Sequence, residues 1–174
     1  MLPRERILET ASVLFHKQGY NSTGINQIIL ESKVAKASFY QHFKSKEDLC
    51  VEFLKRRHDY WFNKLKEFIS ESKTAKAKIL SAFDFLIFMN ENENFRGCSF
   101  LNLLSEIPVD NTKVLHVIQS HKTDLRDFFR QYLIANMLAD HIYLLFESAI
   151  VESQLFRNQW PIIESKRIIK EILH

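Results

Sequence analysis

Apolar side chains recur along this chain with the three-to-four-residue spacing of amphipathic helices. Near the N-terminus they fall at Ile7, Ala11, Leu14 and Phe15, and similar stripes recur in the middle and near the C-terminus. No stretch alternates with the two-residue period of a strand for long enough to predict a sheet. Three glycines and three prolines in 174 residues also favour long helices with few turns. The sequence therefore predicts an all-α protein.

Start and stop signals divide the chain into helices. Gly19 suits the position after a helix end, a hydroxyl of Ser22 or Thr23 can cap the second helix, and Ser45 opens a capping box. The predicted helices cover Pro3–Gln18, Ile25–Ser32, Lys36–His42, Ser45–Ser70, Ala75–Asn92, Cys98–Glu106, Asn111–Ile134, Leu138–Phe156 and Pro161–Leu173.

The region from Asn111 to Arg157 contains no glycine or proline. A single helix of that length would be unusual in a compact domain. We therefore place a break near Asn136-Met137.

Composition narrows the class of protein. With 46% hydrophobic and 26% charged residues, the chain can bury one substantial core. No apolar run approaches the roughly 20 residues that span a bilayer, so no membrane partner is expected. Cys50 and Cys98 form no CxxC pair, which fits a reducing cytoplasm.

Positive charge is concentrated at the N-terminal end. Residues 1–46 hold seven Lys or Arg and three Glu, whereas residues 47–174 hold 17 basic and 18 acidic residues. A small basic region on a nearly neutral body suits a protein that meets a polyanion with one end. An ordinary solvated surface is the alternative.

The second and third predicted helices are joined by the tight Ser32–Ala35 connection, which is typical of a helix-turn-helix. A helix that enters the major groove needs small residues at its start, so that the backbone can approach base edges and phosphates. Ala37 and Ser38 meet that need, while Phe39 and Phe43 can anchor the other face. Lysines at both ends can reach phosphates: Lys36, Lys44 and Lys46.

These residues also resemble a known family. The chain from about Arg4 to Leu49 is similar, in register and without a gap, to the TetR-type (TetR/AcrR) bacterial transcriptional regulators. The resemblance is carried by Gly19-Tyr20, Thr23, Ile25, Ile28, Val34, Lys36-Ala37-Ser38-Phe39-Tyr40, His42-Phe43 and Lys46-Glu47-Asp48-Leu49. The sequence departs from the family at Lys33, where the family usually has Gly in the turn, and at Ala35, where it often has Ser or Thr.

The resemblance implies a DNA-binding domain at residues 1–46 and a helical regulatory domain at residues 47–174. It assigns Thr23, Tyr40 and Lys46 to phosphates and places Lys36, Ala37 and Ser38 at or near the bases. His42 either contacts a phosphate or packs at the helix end. Tyr40 has an alternative reading as a core aromatic residue.

The resemblance further implies a small-molecule pocket among helices four to seven. The ligand is unidentified and expected to be hydrophobic or aromatic. Plain core packing is the alternative for each aromatic candidate: Phe53, Trp61, Phe83, Phe88, Phe100, Phe128 and Tyr132.

The segment Arg96-Gly97-Cys98 resembles a Gly-Cys step at the start of the sixth helix in some family members. A thiol at a helix N-terminus ionises more readily, so Cys98 is a candidate sensor of oxidants or electrophiles. A structural cysteine is the alternative.

The last two helices are the expected dimer interface, because family members dimerise there. Their apolar stripes are wider than a single core-facing stripe and could form a four-helix bundle with a second copy. The predicted contacts are Ile142, Leu145, Phe146, Ala149, Ile162, Ile169 and Ile172. The alternative is that these stripes cap the core of a monomer.

No catalytic constellation, metal-ligand spacing or cofactor motif is present, so we expect no enzyme activity, metal or cofactor. Two functions remain. The favoured one is a dimeric repressor that binds double-stranded operator DNA and is released by a small molecule. The alternative is an all-α small-molecule sensor or protein-interaction module that has lost operator binding.

Overall fold

The computed structural model describes residues 1–133 and 135–173, and for Asn136 it describes only the backbone. The helices are α1 (Pro3–Gln18), α2 (Ile25–Ser32), α3 (Lys36–His42), α4 (Lys46–Ile69), α5 (Ala75–Asn92), α6 (Ser99–Leu104), α7 (Thr112–Arg130), α8 (Asn136–Phe156) and α9 (Trp160–Ile172). The predicted all-α class is confirmed. Within the described ranges, no helix is long and apolar enough to cross a membrane.

The local signals placed most helix ends correctly. The structure has the predicted bounds for α1, α2, α3 and α5, and the bounds of α4 and α9 differ from the prediction by one residue at each end. Helix α6 is shorter than predicted at both ends. Helix α7 ends at Arg130, whereas its predicted end at Ile134 lies outside the described residues. The break between α7 and α8 falls just before the predicted Asn136-Met137, since α8 begins at Asn136.

One predicted cap is confirmed and another is wrong. Ser45 Oγ accepts the Asp48 N–H at 3.0 Å and donates its hydroxyl to the Asp48 carboxylate at 3.0 Å, so the serine half of the predicted capping box is present. Helix α2, however, has Gly24 as its N-cap and no side-chain cap. Thr23 instead donates its hydroxyl to the carbonyl oxygen of Gly19 at 2.7 Å.

The described chain forms two compact units. The first unit contains Met1–Asp59 and Ser99–Gln119, and the second contains Tyr60–Cys98 and the residues that follow Gln119. The predicted domain boundary at residue 46 stays a prediction.

The first unit has a core made by α1, α2, α3 and the first half of α4. Ile7, Ile28 and Leu49 are fully buried in it. The Phe15 ring lies 5.5 Å from the Phe53 ring in an edge-on arrangement, which is a favourable geometry for aromatic pairs. This core holds the first three helices together.

The second unit has an aromatic core. The Phe146 ring on α8 lies 5.1 Å from the Phe83 ring and 5.2 Å from the Phe129 ring. Trp61 on α4 meets the Phe85 ring edge-on at 5.2 Å. Helices α5, α8 and α9 pack directly on one another in this unit.

The turn between α2 and α3 contains a strained residue. Lys33 adopts the left-handed conformation, with φ 54° and ψ 48°, which costs a residue with a Cβ about 1–2 kcal/mol. Arg6 Nη2 on α1 donates to the Lys33 carbonyl oxygen at 3.3 Å. The turn thus forms with Lys33 where the family usually has glycine.

Replacing Lys33 with glycine should relieve this strain. We expect Lys33→Gly to raise the free energy of unfolding by about 1 kcal/mol, measured as a shift of the urea midpoint. Lys33→Ala is the matched control, because alanine removes the charged side chain but keeps the Cβ. Equal stabilisation by both variants would contradict the strain explanation.

Candidate nucleic-acid interface and regulatory surfaces

Helix α3 is anchored by the two aromatic residues that its sequence pattern predicted for the core. Phe39 is fully buried and Phe43 is 2% exposed, and their ring centroids lie 6.2 Å apart. The guanidinium of Arg4 lies 5.3 Å from the centroid of the Phe43 ring. These contacts fix the orientation of α3 in the first unit.

The residues predicted to meet DNA bases occupy the accessible part of α3. Lys36 and Ala37 are exposed, and Ser38 is half-buried. Tyr40 is 44% exposed while its ring lies edge-on to Phe39 at 5.2 Å. His42 is exposed at the end of the helix. The structure therefore brings five of the seven predicted DNA-binding residues together on one short helix.

The start of α3 has no side-chain cap. Ala35 is its N-cap residue and contributes no side-chain hydrogen bond. The N–H groups of the first turn therefore receive no hydrogen bond from the side chain of the N-cap residue, and N–H groups at a helix start attract anions. With Ala35 where the family often has Ser or Thr, α3 lacks a side-chain cap but still forms.

Thr23 does not suit the role of a phosphate contact. Its side chain is fully buried, and its hydroxyl is donated to the Gly19 carbonyl oxygen. A side chain without accessible surface cannot reach a phosphate in this conformation. Thr23 instead closes the loop between α1 and α2.

Lys46 opens α4 and lies against an aromatic ring. Its Nζ atom is 4.0 Å from the centroid of the Tyr20 ring, a distance at which a cation is attracted to the ring face. Burial lowers the pKa of Lys46, although its neighbours Cys50 and Glu106 act in the opposite direction. Burial also raises the pKa of Tyr20 to about 12. Lys46 is half-buried and partly available to a phosphate.

The structure divides the predicted pocket residues between the two units. Phe53 and Phe100 belong to the first unit and the other five to the second. Trp61, Phe83 and Phe128 are buried against other rings. A groove of ≈ 310 Å³ opens on the first unit. None of the seven predicted pocket residues lines this groove. Its lining consists of Arg6, Glu9, Thr10, Val13, Glu31, Ser32 and Lys33.

Two further members of the predicted pocket set lie near the surface of the second unit. Phe88 is 37% exposed and stacks on Phe85 at 6.2 Å. Tyr132 packs edge-on against Phe128 at 5.4 Å, and the ammonium of Lys78 lies 5.3 Å from its ring. These rings pack on neighbouring aromatic side chains in this conformation, and a ligand pocket among them stays a prediction.

A partly buried ion pair next to Cys98 was not predicted from the sequence. Lys122 Nζ donates to the two Glu147 carboxylate oxygens at 2.7 and 2.8 Å and lies 3.5 Å from Cys98 Sγ. Burial acts to lower the pKa of Lys122, but the Cys98 thiol and Glu147 outweigh it, so the pKa lies above its ordinary value. The two partners are 25 residues apart, and no short-range pattern joins them.

Most of the predicted dimer contacts are already buried within a single chain. Ile142, Phe146 and Ala149 on α8 are 0–1% exposed, and Ile162 and Ile169 on α9 are fully buried. A side chain without accessible surface cannot touch a second copy. Leu145 is half-buried, and Ile172 is 39% exposed.

Other apolar residues of the same two helices are exposed. Leu144, Val151 and Leu155 are 61%, 46% and 66% exposed, and their spacing of seven and four residues puts them on one face of α8. On α9 the exposed apolar residues are Trp160, Ile163, Ile168 and Ile172, whose spacing spreads them around that helix and not along one face. We call these seven residues the exposed stripe. A helical plot of α8 would have separated its two faces, but not shown which one is buried.

The fold and the α3 surface define a helix-turn-helix protein, and known proteins agree. A family model described as "Bacterial regulatory proteins, tetR family" matches residues 7–53. The HTH-type transcriptional regulator SAB2452 of Staphylococcus aureus is 30% identical over 145 residues, which cover 83% of this chain and 68% of that protein. LmrA of Bacillus subtilis, also an HTH-type transcriptional regulator, is 42% identical over 81 residues, or 46% of this chain and 43% of LmrA.

A solved structure matches over nearly the whole chain. The crystal structure of SCO4454, a TetR-family transcriptional regulator from Streptomyces coelicolor, superposes with a TM-score of 0.89. The match covers 98% of this chain and 94% of that one at 24% identity, which shows the fold. The chain belongs to the TetR family, and it is a transcriptional regulator of that family.

The two cysteines should differ sharply in reactivity. Burial raises the pKa of the Cys50 thiol from 9.0 to about 12, so at pH 8 it stays protonated, and the thiolate is the reactive form. In a Cys98→Ser chain, a thiol reagent at pH 8 should label the native protein roughly 100-fold more slowly than the unfolded protein. The half-buried Cys98 should react faster in the reciprocal Cys50→Ser chain. Fast labelling of native Cys50 would contradict the burial.

Proposed function

We propose that this regulator is a repressor that binds operator DNA as a homodimer and is released by a small molecule. The observation that carries the DNA-binding part is the exposed surface of α3. Lys36, Ala37, Tyr40 and His42 are accessible there, on a helix whose other side is locked by buried Phe39. A rigid helix with a small, cationic start fits the major groove.

Apart from His42, each residue of that surface has a role in the proposal. Lys36 and Ala37 lie at or near base edges with Ser38, while Tyr40 and Lys46 contact phosphates. Lys44 is exposed and adds positive charge beside them. Thr23 is not part of this set, because its hydroxyl is used inside the loop.

The exposed stripe on α8 and α9 supports the homodimer. Apolar residues with 46–66% exposure, such as Val151 and Leu155, cost free energy in water unless a partner covers them. A second copy offers the same surface around a two-fold axis. A dimer would also supply the two recognition helices that helix-turn-helix regulators need to read two half-sites one DNA turn apart, about 34–36 Å.

The ligand is proposed to act on the second unit. That unit contains an aromatic core with the partly buried Lys122–Glu147 pair beside Cys98, so it offers apolar surface and a few polar groups, as ligand sites do. A ligand that prefers one conformation would shift the protein toward it and weaken DNA binding. Whether Cys98 takes part as a redox-sensitive thiol stays a prediction.

Titration of DNA at several salt concentrations tests the proposal. A repressor should bind the duplex flanking its own gene more tightly than random duplex, with an affinity that falls as salt rises. An interaction module that has lost operator binding should show neither preference nor salt dependence. That second result would overturn the proposed function.

Two variants of α3 separate backbone contacts from base contacts. Tyr40→Phe removes only a hydroxyl, so it should weaken operator and random duplex by a similar factor of about 3–10, as expected for a lost phosphate contact. Ser38→Ala should instead change the preference among operator variants. Unchanged operator affinity in both variants would contradict the assignment. Thr23→Ser is the control. It keeps the buried hydroxyl that donates to Gly19, so operator affinity should not change.

A charge on the exposed stripe should break the dimer. Val151→Glu places an unpaired carboxylate in the proposed interface, at a cost of several kcal/mol, so sedimentation should show monomers at micromolar concentration and operator binding should fail. Val109→Glu is the matched control, because Val109 is fully exposed in the loop before α7. A dimeric Val151→Glu, or a monomeric unmodified chain, would contradict this interface.

A further inference from the structure

The loop between α1 and α2 is held by a residue from a distant part of the chain. The Asn21 N–H donates to Glu106 Oε2 at 2.7 Å, and Asn21 Nδ2 donates to the Glu106 main-chain oxygen at 2.9 Å. Glu106 follows α6 and belongs to the same compact unit as the loop. One of the two bonds is charge-assisted, which makes it stronger than a neutral one.

The Glu106 carboxylate lies directly against the loop backbone. Gly19 has φ 91°, and a Cβ at this position would lie 2.6 Å from Glu106 Oε1. Glycine is favoured here by the positive φ, and a side chain at this position would also displace the Glu106 carboxylate. A second contact joins α1 to the start of α6, where His16 Nδ1 lies 3.2 Å from Ser99 Oγ.

The same loop supports a proposed DNA contact. Tyr20 lies between Gly19 and Asn21 in the sequence, and the Lys46 ammonium lies 4.0 Å from the centroid of its ring. The loop also leads through buried Thr23 into α2, the first helix of the helix-turn-helix. Movement of this loop would displace the ring under Lys46 and the start of α2 together.

We propose that Glu106 is a positioning residue for DNA binding: it fixes the α1–α2 loop, and through Tyr20 the Lys46 ammonium, without touching DNA itself. The N-terminal three-helix domain then depends on an acidic residue from outside its own sequence. The inference rests on the proposed function, because Lys46 matters only if this surface binds DNA.

Two substitutions of Glu106 in the full chain test the proposal. Glu106→Ala removes the side-chain acceptor, so affinity for operator and random duplex should fall by a similar factor of about 3–10, and the salt slope should fall by up to about 1 as the Lys46 contact is lost. Glu106→Gln keeps an acceptor oxygen and should bind DNA at least as tightly as the unmodified chain. Glu91→Ala, which removes a carboxylate at an exposed position on α5, controls for net charge.

Hydrogen exchange provides a readout that needs no DNA. The Asn21 amide should exchange roughly 10-fold faster in Glu106→Ala, because the bond that protects it is gone, and should stay protected in Glu106→Gln and Glu91→Ala. If Glu106→Ala does not fold, Asn21→Ala replaces it. That variant removes only the bond to the Glu106 main-chain oxygen, and a fall in DNA affinity of about 2–3-fold is expected.

The outcomes separate the two proposals. An unmodified chain without DNA binding would overturn the proposed function, whereas the Asn21 exchange rates would still decide whether Glu106 holds the loop. If the unmodified chain binds DNA and Glu106→Ala binds equally well, the positioning role is wrong. Equal weakening by Glu106→Ala and Glu106→Gln would also overturn it, because charge and not the acceptor geometry would then be responsible.

Discussion

Burial of Phe39 and Phe43 is the interaction on which the proposed DNA-binding surface depends. Helix α3 has seven residues and an N-cap, Ala35, that offers no side-chain hydrogen bond. An isolated helix of this length is not stable in water. It persists because two rings are buried in the first unit, and this leaves Lys36 and Tyr40 accessible. The side chains that α3 exposes are thus held in place by packing on the opposite side of the helix.

Helices α8 and α9, like α3, bury one side in a core and leave another side exposed. Apolar residues cover two faces of α8. One of these faces includes Phe146 and Ala149 and completes the core of the second unit. The other face, with Leu144 and Val151, stays exposed and is the proposed contact with a second copy. A wide stripe of this kind lets one helix stabilise its own fold and present an association surface.

Helix ends could be predicted wherever the signal was local. Gly19 marked the end of α1, and the Ser45 hydroxyl does cap the helix it opens. Thr23 was misassigned because a hydroxyl has several carbonyl and N–H groups within reach, and the loop geometry chose the carbonyl of Gly19. Glu106 gave no signal, because its partner Asn21 is 85 residues away.

The sequence by itself determined the helical class, the helix-turn-helix register and the family resemblance, since these follow from residue types within a turn or two of one another. Only the tertiary structure decided which candidates are accessible. It placed Ala149 inside and Val151 outside, although the two are separated by a single residue. Burial depends on what packs against a face, and that is fixed by contacts between distant helices and not by the pattern along one helix.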